Sequence, residues 1–143
     1  MDVVVLAGGK GKRLGLKNIP KPMVDFGGIP LIHRQLLELD KATIFDNVYV
    51  LTGYLGNIIQ EYFQNFSFKN INLIFIQEPT PIGTAGAISQ VATQISDRFL
   101  VVYGDTFFDI NFEKFITYDK IQSAPLGTLF IHPNDHPYDS DLV

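Results

Sequence analysis

The chain has 143 residues, one domain's length, and 46% apolar residues with 13% aromatics supply enough to fill one hydrophobic core. A charged fraction of 18% excludes a disordered polyelectrolyte, the twelve glycines follow no three-residue period and exclude collagen, and the absence of cysteine excludes disulfides, thiolate metal sites and a cysteine nucleophile. The net charge of −4 argues against a nucleic-acid surface, yet Lys10, Lys12, Arg13, Lys17 and Lys21 all lie in the first 22 positions, where Asp2 is the only acid. An acidic chain with one concentrated cationic loop is suited to hold a small polyanion.

In chain order, Val3 to Leu6 is a β-branched apolar run stopped by Ala7-Gly8-Gly9, the pattern of a buried parallel strand entering a glycine turn. No basic segment precedes this run and no small-residue cleavage site follows it, so a signal peptide is not expected and the protein is placed in the cytoplasm. No apolar stretch nears the roughly 20 residues that cross a bilayer. After a polar loop to about Pro22, Met23 to Phe26 alternates like a short strand and turns at Gly27-Gly28. A helix follows, with Pro30 near its first turn and Ile32, Leu36 and Leu39 on one face. His33 on this helix reads as a surface or packing residue. Asn47 to Thr52 reads as a strand, Tyr54 to Phe66 as a helix, Ile71 to Ile76 as a strand and Thr84 to Ile95 as a helix. Phe99 to Tyr103 reads as a fourth strand, Asn111 to Asp119 as a helix and Leu126 to Ile131 as a fifth strand. Leu142-Val143 resembles the opening of a further strand, so the domain is expected to continue past residue 143.

Strands that are almost wholly apolar and alternate with helices call for a three-layer α/β/α, Rossmann-like fold around a mainly parallel sheet. Ligands of such sheets bind beyond the carboxyl ends of the strands. Three segments therefore matter: Ala7 to Lys21, Gln77 to Gly86 and Gly104 to Asp109.

The first contains Leu6-Ala7-Gly8-Gly9-Lys10-Gly11-Lys12-Arg13-Leu14. Glycines directly after a buried strand let backbone N–H groups approach phosphate oxygens, and the interleaved cations offset the anion's charge. Two familiar phosphate loops fail on spacing. The dinucleotide fingerprint needs glycine where Leu14 stands and an acid where strand two ends in Thr52-Gly53, and the nucleoside-triphosphatase loop needs glycine at Leu6 and a hydroxyl at Arg13. Pro20-Lys21-Pro22-Met23 fixes the backbone on both sides of one lysine.

Read together, G-G-x-G-x-R-L followed by P-K-P-M resembles the sugar-phosphate nucleotidyltransferases, in particular the heptose 1-phosphate and mannose-1-phosphate guanylyltransferase-like members, from Val3 to about Ile131. The resemblance implies a GT-A-like fold and transfer of a nucleotidyl group from a nucleoside triphosphate, GTP favoured, to a sugar 1-phosphate, with release of pyrophosphate. It implies Mg²⁺ as cofactor and leaves open whether the chain forms a homo-oligomer. Lys12 departs from the small hydroxyl residue common before the arginine. Glu78-Pro79-x-Pro81-x-Gly83-Thr84-Ala85-Gly86 matches the family loop that holds base and ribose, and Glu78 offers an acceptor to guanine's amino groups. Asp105, after Gly104, matches the metal-binding aspartate, with Asp109 either nearby or capping the next helix. In this scheme Arg13 holds the β- and γ-phosphates and Lys21 bridges the α-phosphate and the attacking phosphate. A noncatalytic nucleotide-binding module on the same fold, another base and sugar, and a redox Rossmann domain are the competing readings. His132, Asp135 and His136 invite a zinc site, but Pro133 and Pro137 break the helix it would need, which favours a loop near the sugar pocket.

Overall fold

The computed structural model describes residues 1–9, 11, 18–122 and 126–131. They fall into two compact units, Met1–Asp109 and Ile110–Val143. The first contains strands β1 (Asp2–Ala7), β2 (Asn47–Thr52), β3 (Asn72–Gln77) and β4 (Phe99–Tyr103), with helices α1 (Leu31–Lys41), α2 (Gly56–Phe63) and α3 (Gly83–Ser89) between them. Among the described residues the pairings between these strands are all parallel and the order is β3-β2-β1-β4. Consecutive parallel strands need crossovers, which is the role of the three helices.

Apolar content on both sides of the central strands explains how the layers form. Val3, Val4, Val5, Val48 and Val50 are all fully buried. On one face Val4, Tyr49 and Leu51 pack with Ala87 of α3 and with Val91. On the other, Phe75 of β3 stacks on Phe63 of α2, with ring centroids 6.2 Å apart. His33 of α1 meets the same Phe63 edge-on at 5.4 Å, so α1 and α2 share that face. The expected three-layer α/β/α arrangement is thus present.

Asp2 fastens the amino ends of the strands. Its carboxylate accepts from the backbone N–H of Ser96 at 2.8 Å, the Ser96 hydroxyl at 2.6 Å and the Asn47 side-chain amide at 3.1 Å. Burial pushes its pKa up, but the donors from Ser96 and Asn47 outweigh this and hold it below the ordinary carboxylate value.

Four expectations are revised. Met23 to Phe26 is not a strand: Lys21–Met23 forms a 3-10 turn and only an isolated Asp25–Pro30 bridge follows. The prolines at 20 and 22 remove ladder donors and fix φ. Helix α2 begins at Gly56 because Leu55 sits at φ +56°, in the left-handed region. Helix α3 stops at Ser89, and turns carry the chain on to Ile95, with Val91 N–H donating to Ile88 and Gln94 N–H to Val91. In the second unit α4 (Phe112–Ile121) forms, but residues 126–131 pair with no strand among the described residues. Its helix is capped by the Asn111 side chain, which accepts from Lys114 N–H at 2.9 Å, and not by Asp109.

His33 is a packing residue. It is buried, its Nδ1 is 2.9 Å from the Tyr62 hydroxyl, and it lies edge-on to Phe66 at 4.8 Å. Burial lowers its pKa from the ordinary 6.5. The unfolded chain therefore takes up the His33 proton at a higher pH than the folded chain, and stability falls as the pH drops through that interval. The urea midpoint is expected to decline as the pH is lowered from about 7 to about 5.5, and His33→Phe to remove that part of the decline. A variant with the parent's full pH slope refutes the assignment.

Candidate functional site

Because every strand is parallel, β1, β2, β3 and β4 all send out their following segments from one edge. Gly104 N–H donates to Leu6 O at 2.9 Å, and Glu78 N–H to Thr52 O at 2.7 Å, so the segments after β4 and β3 are bonded to neighbouring strands before they diverge. A Cβ on Gly104 would lie 3.1 Å from Leu6 O, which explains why glycine precedes Asp105. The missing acid of the dinucleotide fingerprint is also accounted for. At the tip of β2 the backbone of Gly53 packs on Gly8, with a Cβ there falling 3.0 Å from Gly8 O.

These segments surround a cleft of about 260 Å³, just below the usual small-ligand range of about 300 to 1,000 Å³. Leu6, Ala7, Gly8 and Gly9 supply one wall, Glu78, Gly83 and Thr84 a second, and Lys21 and Asp105 the rim. Pro22 and Pro81, members of the two proline motifs read from the sequence, also line it, as do Ala87 and Tyr103, which were given no site role there. Tyr103 stands immediately before the glycine–aspartate pair and Ala87 immediately after Gly86, so adjacency to a motif was the available signal. Ala85 and Gly86 lie on α3 outside the lining, and Asp109 is exposed and also outside it. Gly11 adopts φ +56°, and a Cβ built on it would sit 3.3 Å from the Lys21 Cβ, which brings the glycine turn against the lysine. Lys12 and Arg13 lie outside the described residues, as do Lys10, Lys17, His132, Asp135 and His136.

Lys21 Nζ donates to Asp105 Oδ2 at 2.6 Å. The two residues are 84 positions apart in sequence. The lysine is held by its own turn: Pro20 at φ −65° precedes it, buried Pro22 follows it, and Met23 N–H donates to Pro20 O at 2.8 Å. A second contact joins the same two loops, since Phe107 lies against Phe26 with ring centroids 4.9 Å apart. The ion pair is 36% and 33% exposed, and pairs of that kind contribute only about 0 to 1 kcal/mol to stability. Its partners are therefore available to ligands that bind either charge more strongly. Among the described residues no group of three His, Cys, Asp or Glu side chains could hold a metal ion. A single carboxylate nonetheless suits Mg²⁺, which takes one or two from protein and completes its shell with phosphate oxygens and water.

Comparison with known proteins shows the family to which the chain belongs. The chain is 35% identical to D-glycero-alpha-D-manno-heptose 1-phosphate guanylyltransferase of Campylobacter jejuni over 116 residues, which is 80% of this chain and 52% of that protein. It is 39% identical to the bifunctional protein GlmU of Methanococcus aeolicus over 111 residues, 76% of this chain and 26% of GlmU. Its fold matches the crystal structure of HddC from Yersinia pseudotuberculosis with a TM-score of 0.75 at 35% identity, covering 82% of this chain and 53% of HddC. HddC complexed with GMP-PN matches equally well. The chain thus spans about half the length of the heptose guanylyltransferase and of HddC. The pattern described as nucleotidyl transferase matches residues 2–139, nearly the whole sequence, and the chain belongs to that family.

Proposed function

We propose that the chain forms the nucleotide-binding portion of a sugar 1-phosphate nucleotidyltransferase that prefers GTP and a heptose or mannose 1-phosphate. The observation that carries this reading is the 2.6 Å contact between Lys21 and Asp105 at the rim of a cleft walled by the glycine turn. The guanine preference is supported by likeness to a heptose 1-phosphate guanylyltransferase and to HddC, which has been crystallised with GMP-PN.

In this reading a sugar 1-phosphate oxygen attacks the α-phosphorus in line, the new P–O bond forms, and the bond to the β-phosphate oxygen breaks to release pyrophosphate. No covalent enzyme intermediate is needed, so the protein's work is to position two polyanions and balance their charge. The Lys21 ammonium lies between the α-phosphate and the attacking phosphate and lowers their mutual repulsion. Arg13 holds the β- and γ-phosphates through its fork of donors. The turn Gly8-Gly9 lets the nucleotide approach the backbone, and the segment from Glu78 to Thr84 receives base and ribose. Asp105 would hold Mg²⁺, which would supply Lewis-acid charge stabilisation to the triphosphate.

Lys21→Ala should lower turnover by about 10² to 10³, as loss of one preorganised donor does. The same change should shift stability by no more than about 1 kcal/mol, because the pair is partly solvated. Sugar-nucleotide formation from labelled substrate, measured beside urea unfolding, checks both, and turnover within about threefold of the parent would remove Lys21 from the reaction. Arg13→Ala should raise the KM for the triphosphate. Four nucleoside triphosphates assayed against several sugar 1-phosphates test the substrate pair. Glu78→Gln should reduce the preference for GTP by about tenfold, the worth of one hydrogen bond to a charged acceptor. Nucleotide binding by calorimetry, with no pyrophosphate released on adding any sugar phosphate, would select a binding module instead.

A further inference from the structure

Helix α1 buries Ile32, Leu36 and Leu39, and Gln35 lies among them at 1% exposure. A polar amide on this apolar face is costly unless its hydrogen bonds serve some purpose. Its Nε2 donates to Tyr103 O at 2.8 Å and also to Thr106 O. These are the first and last carbonyls of one tight turn, closed by Thr106 N–H donating to Tyr103 O at 3.2 Å. Asp105 is the third residue of that turn. Two carbonyl acceptors fix the amide's orientation, since a reversed side chain would set its oxygen against both. Oε1 is then buried without a partner among the described residues. A methionine or leucine would fill the same space without burying that atom, so the two donors account for the choice of glutamine.

We propose that Gln35 is a positioning residue for the transfer reaction: it grips both ends of the Tyr103–Thr106 turn and so aims the Asp105 carboxylate at Lys21. The catalytic consequence rests on the function proposed above; the grip on the turn does not. One donor group anchors two carbonyls of the turn to a buried helix, and Gly104 N–H anchors the turn to β1. Asp105 is thereby fixed from two sides while its own side chain stays partly exposed.

Gln35→Met keeps the side chain's length and removes both donors. Hydrogen exchange on the full chain should show the Thr106 amide opening about tenfold faster, with Val50 in β2 unchanged. Unchanged exchange at Thr106 overturns the proposal whether or not the chain transfers nucleotides. In the transfer assay the same variant should lose about tenfold to a hundredfold in kcat, with the triphosphate KM within about twofold. Parental kcat overturns the positioning role. A parent chain that transfers nothing with any substrate pair counts against the proposed function alone, and the exchange result then decides the inference. If Gln35→Met does not fold, Gln35→Asn, which draws the donors back from the carbonyls by one methylene, is judged by the same two readouts.

Discussion

The constraint on which the site depends is that four parallel strands end along one edge. In an antiparallel sheet, successive connections leave from opposite edges, and the glycine turn after β1 could not meet the aspartate after β4. Here β1 pairs directly with β4, placing Leu6 beside Tyr103. The residues just beyond them, Ala7-Gly8 and Gly104-Asp105, are neighbours by register before any side chain is considered. Burial of the valines at positions 3, 4, 5, 48 and 50, which face both helical layers, keeps these strands in the middle of the sheet. The hydrophobic core and the placement of the cleft are one arrangement.

On this scaffold the charged groups contribute little to stability. The Lys21–Asp105 pair is one-third exposed and comparatively weak, in contrast to the buried Asp2, whose carboxylate is enclosed by donors at the opposite ends of the strands. Two aspartates at two ends of one sheet thus differ in kind. Asp2 is satisfied by fixed backbone and side-chain donors and acts as a fastener. Asp105 has a partly exposed ammonium partner and a share of solvent, the condition under which a carboxylate can exchange partners.

Much of this was legible because burial writes a simple code. Asn47 to Thr52 and Phe99 to Tyr103 were delimited as the structure has them, and Ile32, Leu36 and Leu39 marked the buried face of α1. Sequence failed where the deciding term was local geometry. Periodicity could not show that Leu55 would turn left-handed and delay α2, or that hydrogen bonds three residues apart would replace the end of α3. Residues 126–131 are apolar enough for a strand, but a strand needs a partner edge, which composition does not reveal. In the cleft, motif spacing located Lys21 and Asp105, and their pairing required the register of β1 with β4. Gln35 was missed altogether. The signal was present, a lone amide inside the stripe formed by positions 32, 36 and 39, but it points to a carbonyl partner only after β4 and its turn have been placed over α1.

The two walls of the cleft are built with different degrees of fixity. The Leu6-to-Gly9 side and the Asp105 turn are tied to β1, to each other and to Gln35 by backbone-directed bonds. On the other side, Glu78 N–H extends the β3 ladder to Thr52, but Pro79, Pro81 and the left-handed Gly83 at φ +77° then set the path to α3 with few bonds to the sheet. Substitutions in that second segment can alter the shape of the cleft without disturbing the strands, whereas a change at Gly104 pushes on the backbone of β1. In the function proposed for this chain, phosphate handling falls on the fixed wall and choice of base on the adaptable one. A family could then diversify its substrates through the segment before α3 while the chemistry at Lys21 and Asp105 stayed in place.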